Sequence, residues 1–175
     1  LAAPAPPEVL EDTLDQAIET HRSELSLGDD TPDIYHLRYH LLSLDQVDVE
    51  ASMGHAVRVG EDPVRSLAVE LRVGDPSFDN TGFGGWENGF GQTRLPADVT
   101  GHALSLAAWR LTDTAYKQAL EQYARKQAQF TPPPEHPGDY TLMDPVVHRD
   151  APASAGAAAA LTALAEALAA PLARA

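Results

Sequence analysis

The sequence predicts an α+β domain in which an antiparallel sheet of three to four strands carries helices on one face. Two patterns lead to this prediction. Apolar and polar residues alternate along three successive segments, and apolar residues recur at helical spacing before and after those segments. The predicted order is helix, three strands, helix and a further C-terminal helix. A length of 175 residues is enough for one hydrophobic core and too short for two large domains.

The first helix is predicted from about Glu8 to Ser26. Acidic residues fill its first turns, Arg22 lies near its end, and Gly28 supplies a stop signal. The inner positions of this helix, which recur at helical spacing, are Leu10, Leu14, Ala17, Ile18, His21 and Leu25.

Three segments with a period of two, at 34–44, 46–59 and 64–73, are predicted to form an antiparallel meander with one buried face. On the buried face of the first segment we expect Tyr35, Leu37, Tyr39 and Leu41. The second segment is expected to bury Val47, Val49, Ala51, Met53, Val57 and Val59. The third is expected to bury Leu67, Val69, Leu71 and Val73, with Glu70 and Arg72 on the opposite face.

Two more helices are predicted in the second half of the chain. Thr100 can cap a long helix that runs to about Ala128. The predicted domain organisation is an α+β body at 1–130, a Pro-rich extended segment at 131–150, and an Ala-rich helix within 151–175. Leu161, Leu164 and Leu168 share one stripe of that last helix, which packs inside the domain or against a neighbour.

The loop at 74–91, the glycine loop, contains six glycines and four aromatic residues. It does not match the dinucleotide-binding fingerprint, because Glu87 stands where a glycine is required and the loop has no lysine for phosphates. Two interpretations stay open: the aromatic residues fold back as a lid over the core, or they form a binding surface. The candidate contacts with a partner or substrate are Phe83, Trp86 and Phe90.

The composition excludes several classes of function. A net charge of −14 disfavours contact with nucleic acid, whose phosphates it would repel. The absence of cysteine removes disulfides, thiolate catalysis and thiolate metal sites. No stretch is apolar enough to span a bilayer, and no signal-peptide pattern opens the chain. The compartment stays open between the cytoplasm and, had a leader been removed, a secreted or periplasmic location.

The seven histidines do not form a metal-binding pattern. On a strand, His36 and His40 share a face but lie about 13 Å apart, at ~3.3 Å per residue, which is too far to share one ion. No serine stands in the context of a nucleophile elbow. We therefore predict no catalytic, metal-binding or cofactor-binding residue in this chain.

Three stretches carry a family resemblance: VDVEASMGH at 47–55, LAVELRVGDPSFDNT at 67–81, and AAWRLTDTAYKQALEQYARK at 107–126. Together they resemble the N-terminal domain of the TldD/PmbA family, in the subgroup of TldD-related metallopeptidases. The most specific piece is the strand end Arg72-Val-Gly-Asp75 followed by Asp79-Asn-Thr81. The resemblance covers roughly residues 35–126.

The resemblance implies a zinc-dependent peptidase whose subunits pair around a chamber, with the substrate peptide threaded in extended form. In that family a His-Glu-x-x-x-His helix and a cysteine of the C-terminal domain bind the zinc. This chain has neither a His-Glu dipeptide nor a cysteine, so no catalytic residue is carried over, and zinc is expected only in a separate C-terminal domain.

The expected function is therefore a non-catalytic domain that shapes the peptide cleft and the subunit contacts. Its partners would be the C-terminal metallopeptidase domain or a second subunit, together with an extended peptide. The alternative is a free-standing peptide- or protein-binding adaptor without enzymatic activity.

Overall fold

The structure is a computed structural model that describes residues 5–28, 30–84, 89–143, 146–148 and 157–170. Over these residues the chain forms three α-helices and a four-stranded antiparallel sheet. The elements in chain order are α1 (Pro7–Glu24), β1 (Ile34–Ser52), β2 (His55–Asp75), β3 (Phe78–Asp79), β4 (Phe90–Leu95), α2 (Gly101–Gln129) and α3 (Ala157–Ala169). The predicted α+β class is confirmed, with four strands in the sheet and with helices before and after it as predicted.

The ends of the helices follow local sequence signals. α1 begins with Pro7, whose missing N–H costs nothing in the first turn of a helix. The Thr100 hydroxyl accepts a hydrogen bond from the Ala103 backbone N–H at 3.2 Å, so Thr100 caps α2 as predicted. α2 ends before Phe130, and the prolines at 132–134 prevent it from continuing.

The described chain divides into two compact units. The first comprises Leu1–Leu42 and Arg65–Met143, and the second comprises Ser43–Val64 and Asp144–Ala175. Both long strands contribute residues to each unit. The Pro-rich residues up to Met143 group with the first unit.

The core of the first unit lies between the sheet and the helices α1 and α2. Leu67, Val69, Leu71 and Val73 of β2 are completely buried there, as their alternation predicts. Small residues of α2, such as Ala108, Ala115 and Ala119, allow the helix to approach the sheet closely. One face of the sheet is thus covered by helices, and the polar residues of β2 point to the other face.

Two long strands replace the three shorter segments that the sequence predicts. β1 continues through the predicted break near residue 45, and β2 continues through the predicted turn at 60–63. The chain reverses between them at Met53 and Gly54, which have φ values of 51° and 85°. Positive φ at both positions is typical of a two-residue type I′ hairpin turn.

This turn changes the phase of the alternation. A two-residue turn pairs Ser52 with His55, so that Ala56, and not Val57, follows Val49 and Ala51 on one face. The prediction that Val57 and Val59 lie on the buried face is therefore wrong, and they are 59% and 51% exposed. Val49, also predicted to be buried, is half-buried.

The start of β1 also differs from the predicted alternation. Ile34 is buried in the core cluster together with Val69, Leu71 and Val73. The neighbouring Tyr35, predicted for the apolar face, donates its hydroxyl hydrogen bond to the Asp79 carboxylate at 2.6 Å. Tyr35 therefore belongs to a polar cluster, while Leu37 and Tyr39 pack against the core as predicted.

In the second unit, the hairpin tip, which is the turn between β1 and β2, contacts α3 and the residue that follows it. A Glu166 carboxylate oxygen accepts a hydrogen bond from the Ala56 backbone N–H at 3.2 Å, and Gly54 packs against Ala170. The leucine stripe of α3, formed by Leu161, Leu164 and Leu168, is exposed. Of the two interpretations of this stripe, packing inside the domain is thus not what the structure shows.

Candidate functional site

β2 is the central strand, with β1 along one edge and with β3 and β4 along the other. Backbone hydrogen bonds define these two edges. Gly74 donates its N–H toward Asp33, which precedes β1, whereas Leu71 donates its N–H to the Gly89 carbonyl at 2.8 Å. Successive residues of a strand direct their backbone N–H and C=O groups to opposite edges. The backbone groups of the odd-numbered residues of β2 therefore point toward β3 and β4.

The Asp79-Asn80-Thr81 motif fills the gap between β3 and β4 on this edge. The Asn80 side-chain oxygen accepts the backbone N–H of Val73 at 2.8 Å, in place of a strand partner. Asn80 is completely buried. The motif that carries the most specific part of the family resemblance therefore satisfies backbone groups of the sheet and positions the start of the glycine loop.

Asp79 is a buried carboxylate with several donors. It accepts hydrogen bonds from the Tyr35 hydroxyl at 2.6 Å, from the Arg72 guanidinium at 3.1 Å and from the Thr81 N–H and hydroxyl, each at 2.7 Å. Burial by itself would raise the pKa of Asp79, but the hydrogen bonds from Tyr35, Thr81 and Arg72 outweigh it and lower the pKa. Asp79 is thus held as an anion that connects β1, β2 and the loop.

The open face of the sheet carries a polar and aromatic cluster around Arg72. The Tyr140 ring lies 4.2 Å below the Arg72 guanidinium, and Glu70 pairs with the same guanidinium at 3.0 Å. The His36 ring lies 5.2 Å from the Tyr140 ring at an interplanar angle of 57°, and its buried Nε2 atom has no hydrogen-bond partner among the described residues. Burial lowers the pKa of His36, while the Glu70 carboxylate at 4.0 Å opposes this shift.

A buried ion pair connects the Pro-rich segment to α2. The Lys126 ammonium donates to the Asp139 carboxylate at 2.5 Å and to the Thr81 carbonyl at 2.7 Å. The Asp79 backbone N–H donates to the same carboxylate at 2.7 Å. The rings of Phe78 and Phe130 lie next to the ammonium, so residues 130–140 pack closely on β3.

The aromatic residues of the glycine loop have different environments. Phe78 packs edge-on against Tyr123, and half-buried Phe83 lies 6.4 Å from the Phe130 ring. Phe90 is 53% exposed at the first position of β4. Trp86 lies outside the described residues. A contact of Phe83, Trp86 and Phe90 with a partner or substrate stays a prediction.

Gly89 allows the loop to enter β4. Its φ is 78°, and a Cβ atom at this position would lie 2.1 Å from the Leu71 carbonyl oxygen. Only glycine fits such a close approach of two backbones. The glycine content of the loop therefore has at least one structural cause, the pairing of Gly89 with β2.

The outer edge of β4 presents backbone groups in a regular pattern. Because Leu71 and Gly89 form a hydrogen-bonded pair, Gly91 and Thr93 also direct their backbone groups toward β2. The intervening Phe90 and Gln92 direct their N–H and C=O groups away from β2. Among the described strands, β4 pairs with β2 alone. This edge can accept a further strand.

Several of the residues in this region were not singled out from the sequence. Tyr35, Tyr140, Lys126 and Asp139 come together only through the fold. One signal was available: Lys126 continues the inner stripe of α2, and a lysine at a core position requires a buried partner.

In the part of the chain that the structure describes, no group of three or more His, Asp or Glu side chains is arranged to bind a metal ion. Within the same residues, no helix has the length and apolar character needed to cross a membrane. A comparison with family models, curated proteins and solved structures found no match to this chain.

Proposed function

We propose that this chain is the non-catalytic N-terminal domain of a TldD/PmbA-like metallopeptidase and that it binds substrate peptide in extended form along the outer edge of β4. The observation that supports this proposal is the outward direction of the backbone groups of Phe90 and Gln92 on an edge strand. Peptides add to such edges through main-chain hydrogen bonds, and side-chain contacts supply specificity. Zinc and the hydrolytic residues would belong to the C-terminal domain of the same assembly.

The surroundings of β4 favour a preorganised edge. Gly89 and Asn80 bring the start of the strand to β2, and α2 packs on its inner face through Leu111, which lies next to Gly91. An edge that is already ordered loses little conformational entropy when a peptide binds. Exposed Phe90 offers an apolar contact beside the first outward-facing backbone groups.

A proline substitution tests strand addition directly. Gln92→Pro removes one outward-facing N–H without removing a hydrogen bond to β2, since proline is tolerated where the N–H of an edge strand faces solvent. The matched control is Gln92→Ala, which removes the side chain and keeps the N–H. The probe is a fluorescein-labelled, uncharged decapeptide of Thr, Val and Gln, and fluorescence anisotropy reports its binding.

We expect Gln92→Pro to weaken probe binding about tenfold or more, the cost of a lost main-chain hydrogen bond and a distorted edge. Gln92→Ala should bind as the unmodified chain does. Equal binding by both variants, or no binding by the unmodified chain, would reject the β4 edge as the peptide site. Circular dichroism of each variant checks that the fold is retained.

The alternative is a free-standing peptide- or protein-binding adaptor that uses the same edge without a catalytic partner. The coding sequence downstream of this domain distinguishes the two functions. A source reading frame that continues past Ala175 into a His-Glu-x-x-x-His segment supports the metallopeptidase. A stop codon directly after Ala175 supports the adaptor.

A further inference from the structure

A cleft of about 500 Å³ lies between α1 and α2, in the first unit and away from β4. Its volume falls within the range of small-molecule sites, about 300–1,000 Å³. The polar and aromatic residues that line it are Thr13, Gln16, Thr20, His21, His102, Ser105 and Trp109. No Lys, Arg, Asp or Glu is among the described lining residues.

His21 forms the floor of this cleft and is only 6% exposed. Its Nδ1 atom lies 2.8 Å from the Tyr39 hydroxyl, which in turn contacts the Thr112 hydroxyl at 2.5 Å. The Thr112 hydroxyl donates to the Ala108 carbonyl at 2.8 Å. His21 is thus the outer end of a chain of hydrogen bonds that reaches into the core.

The direction of these hydrogen bonds determines the tautomer of His21. Thr112 has a single hydroxyl proton, which it donates to Ala108, so the Tyr39 hydroxyl must donate to Thr112. The oxygen of Tyr39 is then the acceptor for His21, whose Nδ1 atom carries the proton. A neutral imidazole with a protonated Nδ1 has a lone pair on Nε2.

The environment keeps this imidazole neutral. Burial lowers the pKa of His21, and the opposing effect of the Glu24 carboxylate is smaller. Nδ1 faces Tyr39 in the interior, so Nε2 is on the opposite side of the ring, and it has no hydrogen-bond partner among the described residues. Nε2 is not one of the fully buried unpartnered atoms of the described residues, and His21 lines the cleft, so this acceptor is open to a donor from solvent or from a ligand.

Trp109 supplies a second element of a binding site. It is an exposed residue of α2, with 51% of its surface accessible, and it lines the same cleft as His21. An indole at the wall of an open cleft offers a flat apolar face and one N–H donor. Nearby, the Thr13 hydroxyl donates to the Val9 carbonyl, which leaves its oxygen lone pairs as acceptors.

We propose that the α1–α2 cleft is a binding site for a small uncharged ring compound that carries hydroxyl or N–H donors, either a sugar unit or a nucleoside. One donor of the ligand would bond to His21 Nε2, and the ring would stack on Trp109. Hydroxyl and amide groups of Thr13, Gln16 and Ser105 would exchange hydrogen bonds with its other polar groups. This site is independent of peptide binding at β4.

The charges of the molecule argue against an ionic ligand. A phosphate would find no Lys or Arg in the described lining and would meet a protein of net charge −14. A cation would find no carboxylate in that lining to offset its loss of hydration. Neutral donors and acceptors match the residues that line the cleft.

The first experiment needs no ligand. Two-dimensional NMR of the imidazole nitrogens of the full chain at pH 7 reports the tautomer of each histidine. We expect His21 to show a protonated Nδ1 and an unprotonated Nε2, and we expect Tyr39→Phe to abolish this preference. A protonated Nε2 of His21 in the unmodified chain would overturn the proposal, because His21 could then not accept a hydrogen bond from the ligand.

The second experiment titrates the chain with glucose and with uridine, and follows the Trp109 indole and His21 ring signals. Saturable shifts with either compound support the site and tell a sugar from a nucleoside. Glucose 6-phosphate and arginine are the charged comparisons. The proposal is overturned if neither neutral compound causes a saturable shift at concentrations well above the millimolar range, or if a charged compound binds more tightly.

Two variants and a control then locate the ligand. His21→Asn retains a donor near the Nδ1 position and removes the Nε2 acceptor, and Trp109→Ala removes the stacking face. Each should weaken binding about tenfold, as expected for one hydrogen bond or one aromatic contact. Leu106→Ala changes an exposed residue of α2 that does not line the cleft and should leave binding unchanged. Equal effects of all three would contradict this location.

Discussion

Leu71 and Glu70 are neighbours on β2 whose side chains lie in opposite environments. Leu71 is completely buried, whereas the Glu70 side chain is 30% exposed on the open face of the sheet. We predict that Leu71→Ala lowers the free energy of unfolding by about 2–5 kcal/mol, the cost of emptying a packed site. Glu70→Ala should change it by less than about 1 kcal/mol. Urea denaturation measures both, and equal losses would contradict the register of β2.

The anionic state of Asp79 makes stability depend on pH. A carboxylate whose pKa is lower in the folded chain stabilises the fold above its ordinary pKa, and this contribution is lost as the pH falls. We predict that Asp79→Asn is clearly less stable than the unmodified chain at pH 7, and that the difference shrinks below about pH 4. Urea denaturation at pH 7 and pH 3 measures it. A difference that grows in acid would contradict the lowered pKa.

At the scale of an element, the turn between β1 and β2 has a residue that does not suit it. Met53 is the one non-glycine residue with positive φ in the described chain. A left-handed conformation costs most residues about 1–2 kcal/mol, and asparagine tolerates it better. We predict that Met53→Asn slows amide hydrogen exchange at the hairpin tip, and that Gly54→Ala accelerates it because Gly54 has a φ of 85°. The same direction of change in both variants would contradict a type I′ turn.

The Pro-rich segment depends on the buried pair of Lys126 and Asp139. The two side chains are only 2% and 7% exposed, so Asp139→Ala would leave a buried ammonium without its counter-charge. We predict a loss of about 3–5 kcal/mol and faster proteolysis within residues 130–143. The control is Asp113→Ala, which removes an exposed pair with Lys117 and should cost less than about 0.5 kcal/mol. Similar losses from both variants would contradict a structural role for Asp139.

At the scale of the whole molecule, the net charge of −14 is the dominant feature. Repulsion among exposed carboxylates destabilises a compact state, and salt screens it over about 10 Å at 0.1 M and about 3 Å at 1 M. We predict that Tm rises as NaCl is increased between these concentrations. Differential scanning calorimetry measures it. A fall in Tm would show that screening of favourable pairs, such as Lys117 with Asp113, has the larger effect.

Periodicity in the sequence determined the class of the fold and the positions of most elements. The alternation of Leu67, Val69, Leu71 and Val73 and the helical spacing within α1 and α2 are local patterns, and each was confirmed. The Thr100 cap of α2 is equally local. Such features depend on residues within a few positions of one another, so they can be predicted without knowledge of the tertiary structure.

Tertiary structure decided which residues meet, and this is why both sites lay beyond sequence analysis. The outer edge of β4 is defined by the pairing of Gly89 with Leu71, and the tautomer of His21 depends on Tyr39 and Thr112, which are far away in sequence. The sequence placed Phe90 in a candidate contact loop and His21 on the inner stripe of α1. Neither position by itself tells which backbone or side-chain groups remain for a ligand, because hydrogen bonds between distant segments determine what is left unsatisfied.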